Sequence, residues 1–292
     1  MIISASRRTD IPAHYADWFL ERLREGFVLV KNPRNAKQVK RVSLAPEDVD
    51  GIVFWTKNPQ PMLPHLHALS QYAYYFQATV TPYGPDVEPG IPDKDEIIIP
   101  SVLRLSEAIG PGRVVWRYDP ILLSDKYTKE FHYEAFDAMA RRFSGRVVRC
   151  TISFLDMYKN TARNARAMGL IPVEEADMLE MAEKIALIAK SHGIPVTACA
   201  EPIDFSRFGI ARARCIDPEL LEATSDRSID FKRQKSQRPE CGCADSVDIG
   251  VYNTCPNGCK YCYANFSPAM IRENLLHRDS GTPFLNGAQG EP

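Results

Sequence analysis

Short apolar runs recur along the chain at residues 1–5, 51–56, 74–80, 113–117, 147–153, 195–200 and 247–252. Their length and their Val, Ile, Phe and Tyr content predict strands, because branched and aromatic side chains suit a pleated surface. Helical periods lie between them. The clearest covers residues 173–191: Glu174, Glu175 and Asp177 open it, Lys190 lies in its last turn and Gly193 follows. That order complements the helix dipole at both ends and supplies a stop. Residues 14–24, 129–142 and 268–278 carry similar patterns. Strands alternating with helices predict an α/β fold, and seven strand candidates in that order predict a TIM-like (β/α) barrel.

In such a barrel the loops after the carboxyl ends of the strands build the active face. Those ends carry Arg7, Arg8 and Asp10, then Trp55, Thr56, Lys57 and Asn58, then Gln77, Thr79 and Thr81. Further along they carry Arg117 and Asp119, then Thr151 and Ser153, then Glu201 and Asp204. Polar side chains at six successive ends predict a site there, with Lys57, Arg117 and Glu201 as its catalytic candidates. The alternative is that they cap loops and pair with one another. The run Arg7-Arg8-Thr9-Asp10 likewise suits a helix start, with Thr9 and Asp10 as caps before Pro12.

Composition narrows the class. A chain of 292 residues, 45% hydrophobic and 25% charged, can bury one large core or two modest ones. A net charge of −1 provides no global field toward nucleic acid or an anionic membrane. No run of about 20 apolar residues, the length that spans a bilayer, occurs, and the first ten residues end in charges rather than an apolar leader. A cytoplasmic location without a membrane partner is therefore expected, and thiols stay reduced there.

The sharpest chemistry is the segment Cys255-Pro256-Asn257-Gly258-Cys259-Lys260-Tyr261-Cys262. Three thiolates at spacing C-x3-C-x2-C suit three irons of a 4Fe-4S cluster and leave the fourth iron open. Gly258 gives the backbone freedom for a tight wrap, and Tyr261 is placed to shield the cluster. The alternative is a zinc knuckle completed by Cys241 or Cys243. These two have three competing roles: ligands to a second metal site, a fourth ligand sealing the main cluster, or a redox thiol pair. Cys150, Cys199 and Cys215 stand alone and are expected as buried apolar residues. The histidines show no ligand spacing beyond His65 and His67, which point to different faces of a helix.

The cysteine segment resembles the cluster-binding loop of the radical S-adenosylmethionine (SAM) enzymes. The whole chain also resembles the bacterial domain-of-unknown-function family 1848, through residues 4–12, the segment Val53-Phe54-Trp55-Thr56-Lys57-Asn58-Pro59 and the C-terminal cysteines. In radical SAM proteins the cysteine loop follows the first barrel strand, whereas here it follows the last. The resemblance therefore implies a circularly permuted barrel. Residues 1–226 form its main part, 227–246 a basic linker with the C-x-C pair, 247–279 the permuted β-loop-α unit that completes it, and 280–292 a flexible tail. It also implies SAM as cofactor, with Arg7, Arg8 and Asp10 at its amino and carboxylate groups and Tyr263 and Asn265 positioning it.

A reductant such as ferredoxin or flavodoxin and an unidentified small or macromolecular substrate are implied with it. The superfamily's Gly-Gly-acidic SAM motif is missing, as the chain holds no Gly-Gly pair. The segment 117–121 is similar to a strand end of the spore photoproduct lyases, which act on DNA. Arg227, Lys232, Arg233, Lys235 and Arg238 fit a phosphate-binding linker, although a solvated connector suits the near-neutral charge better. The alternative function is a non-catalytic iron-sulfur or zinc protein for electron transfer, sensing or partner binding.

Overall fold

The computed structural model describes residues 1–33, 35–156, 159–225, 228–235 and 238–287; Arg227 of the basic linker lies outside the described residues. Eight strands form one sheet: β1 (Ile2–Ala5), β2 (Gly51–Thr56), β3 (Tyr74–Thr79), β4 (Val114–Ile121), β5 (Arg149–Phe154), β6 (Val196–Ala198), β7 (Ala211–Arg212) and β8 (Val247–Asp248). All neighbours pair in parallel, in the order β7-β6-β5-β4-β3-β2-β1-β8. The C-terminal strand thus lies beside the N-terminal one, with Ile3 opposite Val247. Among the described residues no pairing joins the edge strands β7 and β8. The architecture is therefore a mixed α/β fold on a large parallel sheet, without the pairing that closes the expected barrel.

All seven expected strands are present, some shortened. The last keeps only two of its six expected residues, because the chain turns off at Gly250, where a Cβ would meet the Ser6 hydroxyl at 2.0 Å. Strand β7 has two exposed residues and no apolar run to announce it. The helix Glu175–Ser191 starts two residues later than its pattern, with the Asp177 carboxylate accepting from the Glu174 N–H. The antiparallel hairpin of Phe27–Asn32 and Asn35–Ser43 and the helix Ile99–Ile109 went unmarked by the pattern.

The sheet has two covered faces, assigned by the two-residue alternation of strand side chains. On one face Ile3, Ile52, Phe54, Phe76, Trp116 and Ile152 meet the helices. Phe54 stacks on Phe76 at 4.5 Å and Trp116 on Phe136 at 4.8 Å. On the other face Ile2, Val53, Tyr75 and Val115 pack with Ile216, Leu220, Leu221 and Ala244. Gly51 is required beneath that segment, since a Cβ would stand 2.7 Å from Leu221. The segment covers the amino ends of the strands and leaves their carboxyl ends facing a cavity.

Candidate functional site

A cavity of about 640 Å³ opens there. Trp55, Thr79, Arg117, Asp119, Ser153 and Cys199 line it from successive strand ends. They are the residues that alternation turns away from the helices. The predicted Arg7, Arg8, Asp10, Lys57, Tyr261, Tyr263 and Asn265 line it as well, together with Cys255, Cys259, Cys262, Cys241 and Cys243. Glu201 is not brought into this lining. Its carboxylate turns to the Phe154 N–H at 2.8 Å, and burial, despite that bond, raises its pKa to about 7.

The cysteine loop is built by asparagines. Asn265 Oδ1 accepts from the N–H groups of Thr254 and Cys255, both at 2.9 Å, while its Nδ2 donates to the Arg8 carbonyl at 2.9 Å and approaches Cys262 Sγ at 3.6 Å. Asn253 Oδ1 accepts from the N–H groups of Phe266 and Ser267, and the Ser267 hydroxyl, accepting from Met270 N–H, caps the helix Pro268–Leu276. Gly258 takes φ +67°, as the tight wrap requires. The loop docks on residues 87–90 through Lys260 N–H to Val87 O and Gly90 N–H to Asn257 O, both at 2.9 Å. Burial pushes the Cys259 thiol up to about 12, against the nearby Lys57 ammonium. Burial and Asp10 push the Cys255 thiol up as well.

A buried carboxylate missed in the sequence organises this wall. Glu88 accepts from Lys57 at 2.7 Å, Lys94 at 2.5 Å and Thr81 at 2.9 Å, and the Tyr261 hydroxyl donates to it. Burial works to raise its pKa, but the two ammonium groups prevail and hold it at about 2. The Lys57 ammonium also lies over the Tyr261 ring at 5.5 Å. Glu88 sits in a Pro- and Gly-rich loop without strand or helix pattern, so only its burial reveals it.

The strand-end run of residues 6–10 is bonded within the protein. The Asp10 carboxylate accepts from Ala13 N–H at 3.1 Å, Lys57 N–H at 2.8 Å and Asn257 Nδ2 at 3.2 Å, capping the short helix Ile11–His14 and tying it to the cysteine loop. Asp248 accepts from Ser4 and Ser6 at 2.8 Å and from Arg7 N–H at 2.9 Å. The guanidinium of Arg7 stacks on Trp55, and that of Arg8 on Tyr252. Arg117 donates to Gln77 at 2.6 Å, to Cys215 Sγ at 3.1 Å and to Asp119. In the basic linker, Arg233 Nε bonds the Cys241 carbonyl at 3.0 Å and Arg238 pairs with Asp156 at 2.7 Å. Lys232 and Lys235 are exposed.

Cys150 is a buried core residue, as its isolation in the sequence predicts. Cys215 is buried as well and Cys199 half-buried, but these two are not isolated. Their sulfurs lie 3.1 Å apart, both line the cavity, and Cys215 meets Cys243 on its other side. Hydrogen bonds from Cys199 and Cys243 push the Cys215 thiol down against burial, aided by Arg117 and Arg7. Lone cysteines after strand ends are the only signal the sequence carries for this. Among the described residues no group of three or more His, Cys, Asp or Glu side chains is placed, as it stands, to hold a metal ion, and no helix is long and apolar enough to cross a membrane.

The family described as domain of unknown function (DUF1848) matches residues 2–264. No curated protein matches the chain. Among solved structures it is similar to one titled "Inhibition of the pneumococcal virulence factor StrH and molecular insights into N-glycan recognition and hydrolysis", at 12% identity over 82% of this chain and 67% of that one. With a TM-score of 0.28, the likeness carries no inference about fold or function.

Proposed function

The chain belongs to the domain-of-unknown-function family DUF1848, and on the site its residues build we propose that it is an iron-sulfur enzyme of the radical SAM type, on a circularly permuted barrel. The observation that carries this reading is the cavity wall formed by Cys255, Cys259 and Cys262 from one loop, directly after a strand that pairs with β1. The donor set fits a 4Fe-4S cluster: three thiols, one apiece for three irons, leave one iron open. Thiols of a cube stand wider apart than the ligands of a single ion, because several irons intervene. When bound, the cluster and SAM supply one-electron cleavage of the sulfonium and removal of a hydrogen atom from substrate.

The protein's own residues hold, orient and exclude water. Cys255 and Cys259 lose their protons on binding metal, and the Lys57 ammonium beside Cys259 offsets the resulting negative charge. The Tyr261 ring and the buried Glu88 network wall the loop from solvent. Arg117, Trp55 and Lys57 face the cavity and would meet the substrate, while Arg7, Arg8, Tyr263 and Asn265 would hold SAM. The electron comes from a ferredoxin- or flavodoxin-like donor, and the substrate is a molecule small enough, or a group exposed enough, to enter the cavity.

A second reading, a non-catalytic iron-sulfur or zinc protein, is favoured by one observation. The polar groups of residues 6–10, where a radical SAM protein holds the SAM amine, are engaged with Asp248, Ala13, Lys57 and Asn257. Electron paramagnetic resonance of the anaerobically reconstituted, reduced protein separates the two. A four-iron signal that shifts on adding SAM, and disappears in Cys259→Ala, is the expected result. A signal indifferent to SAM sinks the radical SAM reading.

A further inference from the structure

We propose that Cys199, Cys215, Cys241 and Cys243 hold a second metal centre, of the thiophilic class that takes zinc or an iron-sulfur cluster, separate from the Cys255–Cys259–Cys262 loop. The C-x-C pair supplies only two ligands in sequence; the fold brings the other two. Cys199 follows β6 and Cys215 follows β7, whereas the C-x-C pair arrives from the segment before β8. Cys199 Sγ lies 3.1 Å from Cys215 Sγ, Cys243 Sγ lies 3.2 Å from the Cys215 nitrogen, and Cys241 is two residues from Cys243. They gather near the β7 edge of the sheet, and the cysteine loop leaves the β8 edge. Both groups line one cavity.

The local backbone is arranged for this. Cys243 Sγ accepts from the N–H groups of Cys215 at 3.2 Å and Ile216 at 3.5 Å, the kind of bond that supports a ligating thiolate. The C-x-C turn is pinned from both sides: Cys241 N–H bonds Arg238 O at 3.0 Å, Gln234 N–H bonds Cys243 O at 2.9 Å, and Ala244 N–H bonds Ile216 O at 3.0 Å. Charge is provided for as well. Arg117 donates to Cys215 Sγ at 3.1 Å, and Arg7 is close enough to feel both Cys215 and Cys243. Two guanidinium groups offset the charge left when four thiols lose their protons to a metal.

Packing alone asks for none of this. One buried cysteine behaves as a small apolar side chain, but four meeting from three chain segments beside two arginines is the donor set of a tetrathiolate site. Each sulfur hangs on a single rotatable bond. As they stand no three of these side chains are placed to hold an ion, so metal binding requires them to rotate about that bond while the backbone pins stay in place.

The inference stands apart from the radical SAM reading, and its test does not use SAM. Metal content per chain is measured by mass spectrometry after anaerobic reconstitution with iron and sulfide, and separately with zinc. The proteins compared are wild type, the loop variant Cys255→Ala/Cys259→Ala/Cys262→Ala, and that variant with Cys241→Ser added. Circular dichroism shows that each is folded, and Cys241→Ser in the wild-type background is the milder companion. Zinc or iron retained by the folded loop variant, and lost on adding Cys241→Ser, is the expected result; which metal is retained identifies the centre. A folded loop variant that retains no metal overturns the proposal. So does metal content indifferent to Cys241→Ser, or a Cys199–Cys215 disulfide in protein isolated without oxygen.

Discussion

At the scale of single residues, two buried carboxylates behave oppositely, and their partners explain why. Glu88 faces two ammonium groups and is held at about 2. Glu201 has the Phe154 N–H as partner, with Asp119 and Asp156 nearby, and burial lifts it from its ordinary 4.5 to about 7. A carboxyl whose folded pKa exceeds its unfolded one contributes stability below the unfolded value and loses it as pH rises through the folded value. For Glu201 that window runs from 4.5 to about 7, and the shift is worth about 3 kcal/mol. Glu201→Gln keeps an oxygen for the Phe154 N–H and removes the titration. Urea unfolding at about pH 5 and about pH 8 is expected to show wild type losing stability relative to the variant as pH rises; parallel profiles would refute the assignment. His132 contributes with the opposite slope in both proteins, because burial lowers it to about 4, and so cancels in the comparison. No sequence pattern marks Glu88 or Glu201 as buried: each lies in a loop, and accessibility is a property of what folds over it.

At the scale of elements, the cysteine loop depends on a partner loop distant in sequence. Gly90 approaches so closely that a Cβ would stand 2.6 Å from the Asn257 carbonyl oxygen. Gly90→Ala is therefore expected to break the Gly90–Asn257 bond and push the loop outward, costing about 1–3 kcal/mol as over-packing does. Thermal unfolding, with iron retained against a chelator after reconstitution, checks this. Unchanged melting and unchanged iron would show that the loop does not rely on the contact. The C-x3-C-x2-C spacing announced this loop on its own, since ligands close in sequence need only a local wrap. Cys199 and Cys215 carried no such signal, because β7 is too short and too exposed to form a pattern, and the contact between the two cysteines is decided by how β6 and β7 pair.

At the scale of the whole molecule, the C-terminal segment acts as a clasp. Residues 280–292 suit a flexible tail by composition, yet the described part is docked: Trp18 Nε1 donates to Thr282 O at 2.9 Å, Leu29 N–H to Pro283 O at 3.0 Å, and Phe284 and Leu285 are buried. Removing the chain from Ser280 onward is expected to lower stability by about 3–5 kcal/mol, the worth of burying two large apolar side chains. A shift in the urea midpoint measures it, and an unmoved midpoint would mean the clasp contributes nothing.

The sequence by itself determined the alternation of strand and helix, the two-residue rhythm that turns Trp55, Arg117 and Ser153 to one face, and the three-cysteine loop. Each of these depends on neighbours in the chain. Only the tertiary structure decided that the segment before β8 covers one face of the sheet, that Glu88 is buried among Lys57, Lys94 and Tyr261, and that four scattered cysteines converge on a single cavity. Those contacts join residues remote in the chain, and such contacts are set by the free energy of the whole packed core rather than by any local pattern.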